Sequence, residues 1–136
     1  MKRLGSFIII ATGLLISASC SSVSNEELLC RADIKSGLIN PETVKFFDFK
    51  AIDTSKFRRG VENFVWREHN VLPNERGRFG DQLNAPINEI VQTATDHHAS
   101  FWTLRVKAES RAGLHITSNY VCAVSEGECA CLMSDA

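Results

Sequence analysis

The sequence lacks the local signatures that usually identify an enzyme or a nucleic-acid-binding protein. Its 136 residues carry 15 basic and 16 acidic side chains, so no basic excess is present to attract nucleic acid. There is no Gly-x-Ser-x-Gly nucleophile elbow, and Gly77 and Gly80 do not form a phosphate-binding fingerprint. The composition and motifs therefore predict no nucleic-acid partner, no cofactor and no catalytic residues.

A hydrophobic run long enough to span a bilayer is lacking as well. A transmembrane helix needs about 20 apolar residues, whereas the uncharged run from Leu4 to Ser19 is shorter. Four small or polar residues interrupt it: Ser6, Thr12, Gly13 and Ser17. Because Lys2 and Arg3 precede the run and small residues lead into Cys20, this order predicts a cleaved export signal over residues 1–19.

The same segment resembles the signals of bacterial lipoproteins, with Ser17, Ala18, Ser19 and Cys20 as the lipobox. Ser17 departs from the family pattern, which usually has a bulky aliphatic residue there. The resemblance implies that Cys20 is lipidated, with a diacylglyceryl group on its sulfur and an acyl chain on its new amine. Several chains hold a protein on a membrane far more firmly than one chain does. The alternative is a secreted protein that the general signal peptidase cuts near Ser19.

Location within the envelope follows from the residue after the cysteine. In lipoproteins of bacteria with two membranes, Asp at this position is the usual signal for retention in the inner membrane, and this chain has Ser21. The resemblance therefore implies an outer-membrane lipoprotein that faces the periplasm or the surface, if the source has two membranes. Its first partner is the membrane itself, through the lipid anchor.

Without residues 1–19 the chain has 117 residues, of which 13 are basic and 16 acidic, a formal net charge of −3. This length suits one globular domain. We expect a lipidated tether over residues 20–25 and a single α+β domain over residues 26–136.

Four cysteines remain besides Cys20: Cys30, Cys122, Cys129 and Cys131. An even number in an exported chain predicts disulfides, and four cysteines allow three pairings. A Cys129–Cys131 bridge closes a very small, strained ring. The favoured pairing joins Cys30 to the C-terminal strand or tail, and first of all to Cys122. Cys129 and Cys131 then either pair as a strained bridge or leave one thiol free.

The periodicity of the first half predicts one helix and two strands. Ser24 and Glu27 have the spacing of a capping box, and apolar residues follow at helical intervals, so a helix is expected over 25–36 with Gly37 as its stop. Apolar residues of both parities predict a strand over 43–53, and alternation around Phe64 and Trp66 predicts another over 61–69.

The second half predicts a loop, a short helix and a hairpin. Residues 70–84 are rich in Gly and charge and are expected to form a loop, and Pro86 suits the first position of a helix over 86–95. Strict alternation over 102–108 and 114–124 predicts a C-terminal β-hairpin. The tail after Val124 is expected to be tied by a disulfide or frayed. The fold class is thus α+β, a helix packed on an antiparallel sheet with disulfide support.

The segment LINPETVKF resembles a stretch that follows the first helix in small uncharacterised exported proteins of bacteria and phages. The likeness is carried by Cys30, Leu38, Pro41, Glu42, Val44, Lys45 and Phe46. It implies a helix packed on an antiparallel sheet and no known reaction.

Candidate chemistry is sparse. Asp96, His97 and His98 are consecutive and offer a metal-binding or acid–base cluster, but adjacent histidines on a regular element do not point at one ion, and no paired Cys or His motif completes the set. No metal site is therefore predicted. His69 and His115 are interpreted as surface strand residues, and Phe101, Trp102 and Trp66 as core rather than as a binding face.

The middle of the chain is locally basic. Its cations are Lys56, Arg58, Arg59, Arg67, Arg76 and Arg78, with four acidic residues interspersed. These cations offer contacts to anionic lipid, but the mixed signs favour a solvated surface.

These features together predict a noncatalytic binding or assembly module of the envelope, anchored at Cys20, with an envelope protein as its partner. The alternative is a phage- or plasmid-encoded surface lipoprotein that blocks a receptor or a secretion component, and an envelope enzyme comes third. A binding module requires an exposed apolar patch. An enzyme requires a concave pocket with convergent titrating groups, which His97 and His98 are best placed to supply.

Overall fold

The computed structural model describes residues 23–135. The predicted signal segment 1–19, the predicted lipidation site Cys20, residues 21 and 22 of the predicted tether, and residue 136 lie outside this range. The main elements in chain order are α1 (Asn25–Ser36), β1 (Lys45–Ile52), α2 (Thr54–Glu68), α3 (Arg76–Asp96), β2 (Ser100–Glu109), β3 (His115–Ser125) and β4 (Glu128–Met133). The predicted α+β class is confirmed. None of the helices in the described part of the chain has the length and apolar character that crossing a bilayer requires.

The four strands form one antiparallel sheet in the order β1-β2-β3-β4. The predicted C-terminal hairpin is confirmed as β2 and β3, with Leu104 opposite Tyr120 and Ala108 opposite Ile116. The helix pair α2–α3 connects β1 to β2. Asp48, whose φ is 58°, interrupts the pairing of β1 with β2, so this edge strand carries a bulge.

Helices cover both faces of the sheet. Helix α1 packs Cys30 and Ile34 against one face, where Leu104, Val106 and Cys122 are buried. Helices α2 and α3 pack against the other face, where Phe57, Val61, Val65, Leu83, Ile87 and Val121 form a second buried cluster. Because successive strand residues point to opposite faces, each central strand contributes to both clusters.

The adjacent aromatic residues Phe101 and Trp102 divide between these two faces. Phe101 stacks on Phe57 of α2 with ring centroids 4.3 Å apart, and Trp102 stacks on Phe49 of β1 at 4.5 Å. Their interpretation as core residues is therefore confirmed.

The prediction of helix α1 is confirmed at both ends. The Ser24 side chain accepts a hydrogen bond from the Glu27 amide, and Gly37 caps the C-terminus. The next helix was not foreseen. The strand predicted over residues 61–69 is wrong, because this segment belongs to α2, whose N-terminus is capped by Asp53. Phe57, Val61 and Val65 recur every four residues and share one buried face.

The loop predicted over residues 70–84 is also wrong. Apart from a 3-10 turn at Pro73–Glu75, most of this segment is the first half of α3. Pro86 lies inside α3 rather than at a first helical position. Leu83 and Ile87, on either side of it, are buried in the cluster that α3 shares with α2, so tertiary packing outweighs the cost that proline imposes on a helix interior.

The tail after Val124 is a fourth strand rather than a frayed end. Ser125 pairs with Glu128, so β3 and β4 are joined by the two-residue turn Glu126–Gly127. Both turn residues have positive φ, 53° and 77°, as a type I′ turn requires.

The open edge of β4 is covered from both faces of the sheet. The Cys131 amide donates to Asp33 Oδ2 of α1 at 2.9 Å. Arg67 of α2 donates to the carbonyl oxygens of Met133 at 2.7 Å and Asp135 at 3.1 Å. Since these groups are paired, β4 does not offer a free edge there for strand addition.

Candidate functional site

Both disulfides lie where α1 meets the β3–β4 hairpin. The bonded pairs are Cys30–Cys129 and Cys122–Cys131. All four cysteines are paired, and Cys30 is joined to the C-terminal tail as predicted, but its partner is Cys129 rather than the favoured Cys122. Both alternatives predicted for Cys129 and Cys131, a mutual bridge or a free thiol, are therefore wrong. Cys122 stands directly opposite Cys131 in the ladder, with Cα atoms 4.1 Å apart. Cys129, two residues earlier on the same face of β4, is left for Cys30 of α1.

A groove of about 570 Å³ lies between α3 and the β3–β4 hairpin, and we call it the α3–β4 groove. Its size is within the range of about 300–1,000 Å³ that small-molecule sites occupy. Its apolar lining includes Phe57, Ile90, Ala94, Ala123, Ala130 and Leu132. Ala130 is exposed although it is an apolar residue in a strand.

The charged residues of the groove are all acidic. Glu89 of α3, Glu126 of the β3–β4 turn and Glu128 of β4 line it, and all three are exposed. No Lys or Arg is among the described residues that line the groove. Three like charges around an apolar floor produce a negative potential at its mouth, which favours a cationic ligand with an apolar part.

The groove lies at the same end of the molecule as the N-terminus of α1. A neighbouring depression of similar volume, about 560 Å³, is lined in part by Asn25 and Glu26 of α1 together with His97, His98 and Glu126. His97 and Glu126 also line the α3–β4 groove. The chain therefore leaves α1 towards Cys20 beside the groove. Asn25 is five positions after Cys20, so a fully extended tether reaches about 18 Å at most.

His97 and His98 end α3 rather than forming a catalytic pair. Both are exposed, and His98 has a φ of 53°, the left-handed conformation that ends a helix. His97 Nδ1 lies 2.8 Å from the Thr93 carbonyl oxygen. Asp96 accepts from Gln92 Nε2 at 2.8 Å. Ser125, which shares the groove with His97, donates its hydroxyl proton to the His97 carbonyl rather than to the imidazole.

Some cations of the predicted basic stretch make structural contacts between α2 and α3. Arg58 forms an ion pair with Glu62 at 3.3 Å and donates to Asn88 at 2.6 Å. The Arg76 guanidinium lies 4.2 Å from the centroid of the Trp66 ring. These contacts are those of a mixed-charge surface that ties α2 to α3.

The isolated histidines have two different positions. His115 begins β3 and is exposed, as predicted. His69 is also exposed, but it caps the C-terminus of α2 rather than lying on a strand, because the segment before it is helical.

A raised pKa occurs away from the groove, at Tyr120 of β3. Burial raises the pKa of the Tyr120 hydroxyl above its ordinary value, Asp135 raises it further, and Arg67 opposes them. The hydroxyl therefore stays protonated at neutral pH.

The acidic residues of the groove were missed at the level of sequence. Glu89 belongs to α3, whereas Glu126 and Glu128 belong to the β3–β4 hairpin, and they meet only through the topology. The one local signal is Gly127, which follows an alternating segment and precedes two cysteines at alternate positions, because a glycine there favours a turn.

Comparison of the chain with protein-family models, with curated proteins and with solved structures yields no significant match. No enzyme family or enzyme fold is identified by these comparisons.

Proposed function

We propose that this protein is a lipid-anchored envelope module that binds a partner noncatalytically through the α3–β4 groove. The observation that carries the proposal is the combination of an apolar floor with three exposed carboxylates, Glu89, Glu126 and Glu128, at its mouth. The ligand that matches this surface is a basic polypeptide segment with apolar side chains. The apolar side chains enter the groove while the cations face the carboxylates.

The position of the groove supports a partner at the membrane surface. With Cys20 lipidated, the short tether keeps the α1 N-terminus within about 20 Å of the headgroups. The groove lies at this end of the molecule, because it shares His97 and Glu126 with the depression at the start of α1. The carboxylates disfavour direct adsorption of this end onto anionic lipid. The groove therefore remains open to a basic segment of a neighbouring envelope protein.

The contacts in the groove favour binding over catalysis. Nucleophilic catalysis requires a hydroxyl or thiol that is hydrogen-bonded to a base. The Ser125 hydroxyl is engaged by a backbone carbonyl, and His97 bonds within its own helix. Among the described residues, no polar or charged side chain is buried, so the groove offers no preorganised, water-excluded group.

The first test uses a short peptide of alternating leucine and lysine as the probe, with a leucine–glutamate peptide of equal length as its control. We expect the full-length chain to bind the lysine peptide and not the glutamate peptide, with an affinity that falls as salt is raised. Exposed charge pairs contribute up to about 1 kcal/mol each. The double variant Glu126→Lys/Glu128→Lys should therefore bind about tenfold more weakly or worse. Fluorescence anisotropy measures each affinity.

A matched control changes the same net charge elsewhere. Glu42 and Glu68 are exposed and do not line the groove, so Glu42→Lys/Glu68→Lys should retain affinity for the lysine peptide within about twofold. Equal weakening by both double variants would show that net charge, and not the groove, attracts the peptide. Equal binding of the two peptides would remove the basis of the proposal.

A further inference from the structure

The four cysteine sulfur atoms meet at one point in the fold. All four Sγ atoms, from Cys30 of α1, Cys122 of β3, and Cys129 and Cys131 of β4, lie within 4.8 Å of one another. The sulfur atoms of Cys129 and Cys131, which belong to different disulfides, are 3.5 Å apart. Cys30 and Cys122 are fully buried. Two disulfides that merely staple separate parts of a chain do not require their sulfur atoms to be this close.

We propose that the reduced chain binds one Zn²⁺ ion at this cluster through four thiolates. Zn²⁺ prefers four ligands in a tetrahedron with Zn–S distances of about 2.3 Å, which places the sulfur atoms about 3.8 Å apart. The largest separation among the four sulfur atoms, at most 4.8 Å, exceeds this spacing by about 1 Å, and reduction frees the bonded pairs to move apart to it. Four thiolates also select a soft or borderline ion over Mg²⁺ or Ca²⁺.

The cysteine cluster has two alternative states, a reduced state that binds Zn²⁺ and an oxidised state with two disulfides. Binding of Zn²⁺ to four thiols forms four Zn–S bonds, releases four protons and transfers no electrons. Formation of the two disulfides instead removes four electrons and four protons from the same thiols, and a thiol oxidant of the export compartment accepts them. The oxidised chain has no thiolate left in the cluster, so zinc and the disulfides exclude each other.

The positions of α1, β3 and β4 are compatible with both the zinc-bound and the disulfide-bonded state. Cys122 and Cys131 face each other across the β3–β4 ladder, and Cys129 shares their face of the sheet. Cys30 reaches them from α1, which is held on β4 by the bond between Asp33 and the Cys131 amide. Either two disulfides or one Zn²⁺ ion therefore joins α1 to the hairpin in the same place. This inference does not depend on the function proposed for the groove.

The test measures metal binding by the full-length chain with Cys20→Ser, which removes the thiol outside the cluster. The protein is reduced with a phosphine, freed of reductant under argon, and titrated with Zn²⁺ alone against a chromogenic chelator. We expect one ion per chain by native mass spectrometry. We also expect Co²⁺ to give the intense absorption of a tetrahedral thiolate site. After oxidation the same chain should bind no ion.

Ligand variants give the second arm. Cys30→Ser or Cys131→Ser should weaken Zn²⁺ binding about 100-fold or more, because even changes outside the ligand set reach that size. Restoring Cys20 should leave one ion per chain. If a serine variant does not fold, the Co²⁺ spectrum of the chain with all four cluster cysteines still shows whether a tetrahedral thiolate site forms. An absence of bound ion, an octahedral Co²⁺ spectrum, or equal binding by reduced and oxidised chains would overturn the proposal.

Discussion

Replacing Gly60 with alanine is expected to destabilise the protein by about 1–3 kcal/mol, the usual cost of overpacking a core. Gly60 is buried in the middle of α2, where the helix crosses β3. A Cβ atom built at Gly60 lies 2.4 Å from Val121 Cγ1 and 2.7 Å from Val121 Cγ2, so either the Val121 side chain or the backbone of the helix and strand must shift. Helix propensity alone predicts the opposite sign, because alanine is favoured over glycine by about 0.5–1 kcal/mol in a helix interior. Chemical denaturation measures the change.

Two other glycines in helices serve as matched controls. Gly77 and Gly80 lie in α3, and a Cβ atom at either position meets no heavy atom within 4 Å. Gly77→Ala and Gly80→Ala should therefore be neutral or stabilising by up to about 1 kcal/mol. In the double variant Gly60→Ala/Val121→Ala, the smaller strand residue should relieve the clash, so its destabilisation is less than the sum of the single changes. Stabilisation by Gly60→Ala would contradict the packing of α2 on β3.

Removing the Cys30–Cys129 disulfide is expected to destabilise the oxidised protein more than removing Cys122–Cys131. The first bridge joins residues 99 positions apart and the second joins residues 9 apart. In the chain-entropy model these loops correspond to about 4.7 and about 2.7 kcal/mol. The variants are Cys30→Ala/Cys129→Ala and Cys122→Ala/Cys131→Ala, which leave no unpaired thiol in the cluster. Urea denaturation of both in a Cys20→Ser background gives the difference.

The two variants are matched in packing. Each removes one fully buried and one partly buried cysteine, so the cavities they create are similar in kind. The expected difference of about 2 kcal/mol therefore reports loop length. Equal destabilisation, or a larger loss for the Cys122–Cys131 pair, would contradict the assigned pairing. Mass spectrometry of proteolytic fragments from the oxidised chain checks that pairing independently.

The sequence predicted the elements whose ends or hydrophobic period can be recognised from neighbouring residues. Ser24 and Glu27 mark the start of α1 because the serine side chain binds the backbone three residues on. Strict alternation in β2 and β3 specifies a sheet because a shift of one residue turns the buried set to the wrong face. Both patterns can therefore be recognised without information about residues far away in the sequence.

Tertiary packing decided the elements that the sequence did not predict. Around Phe64 and Trp66 the apolar residues fit a two-residue period, yet Phe57, Val61 and Val65 also fit a helical one. The helix forms because those three side chains are buried on the sheet. Pro86 locally favours the first position of a helix. It is tolerated inside α3 because Leu83 and Ile87, on either side of it, are buried.

The site was the least predictable feature because it depends on β4. Once the turn at Glu126–Gly127 is placed, Cys131 falls opposite Cys122 and the pairing of the other two cysteines follows. The same turn brings Glu126 and Glu128 to the groove that Glu89 of α3 also lines. Lipidation at Cys20 stays a prediction of the export signal.

Site-specific photocrosslinking in the native envelope tests the central proposal most directly. One full-length chain carries the photoreactive residue at Ala130 in the groove, and the control carries it at Leu114, an exposed residue just before β3 that does not line the groove. We predict that Ala130 captures one partner through a basic, apolar-rich segment, that Leu114 does not, and that intact mass shows lipid on the bait. Capture at Leu114 alone, or an unlipidated bait with no partner at either position, would contradict a tethered module that binds through the α3–β4 groove.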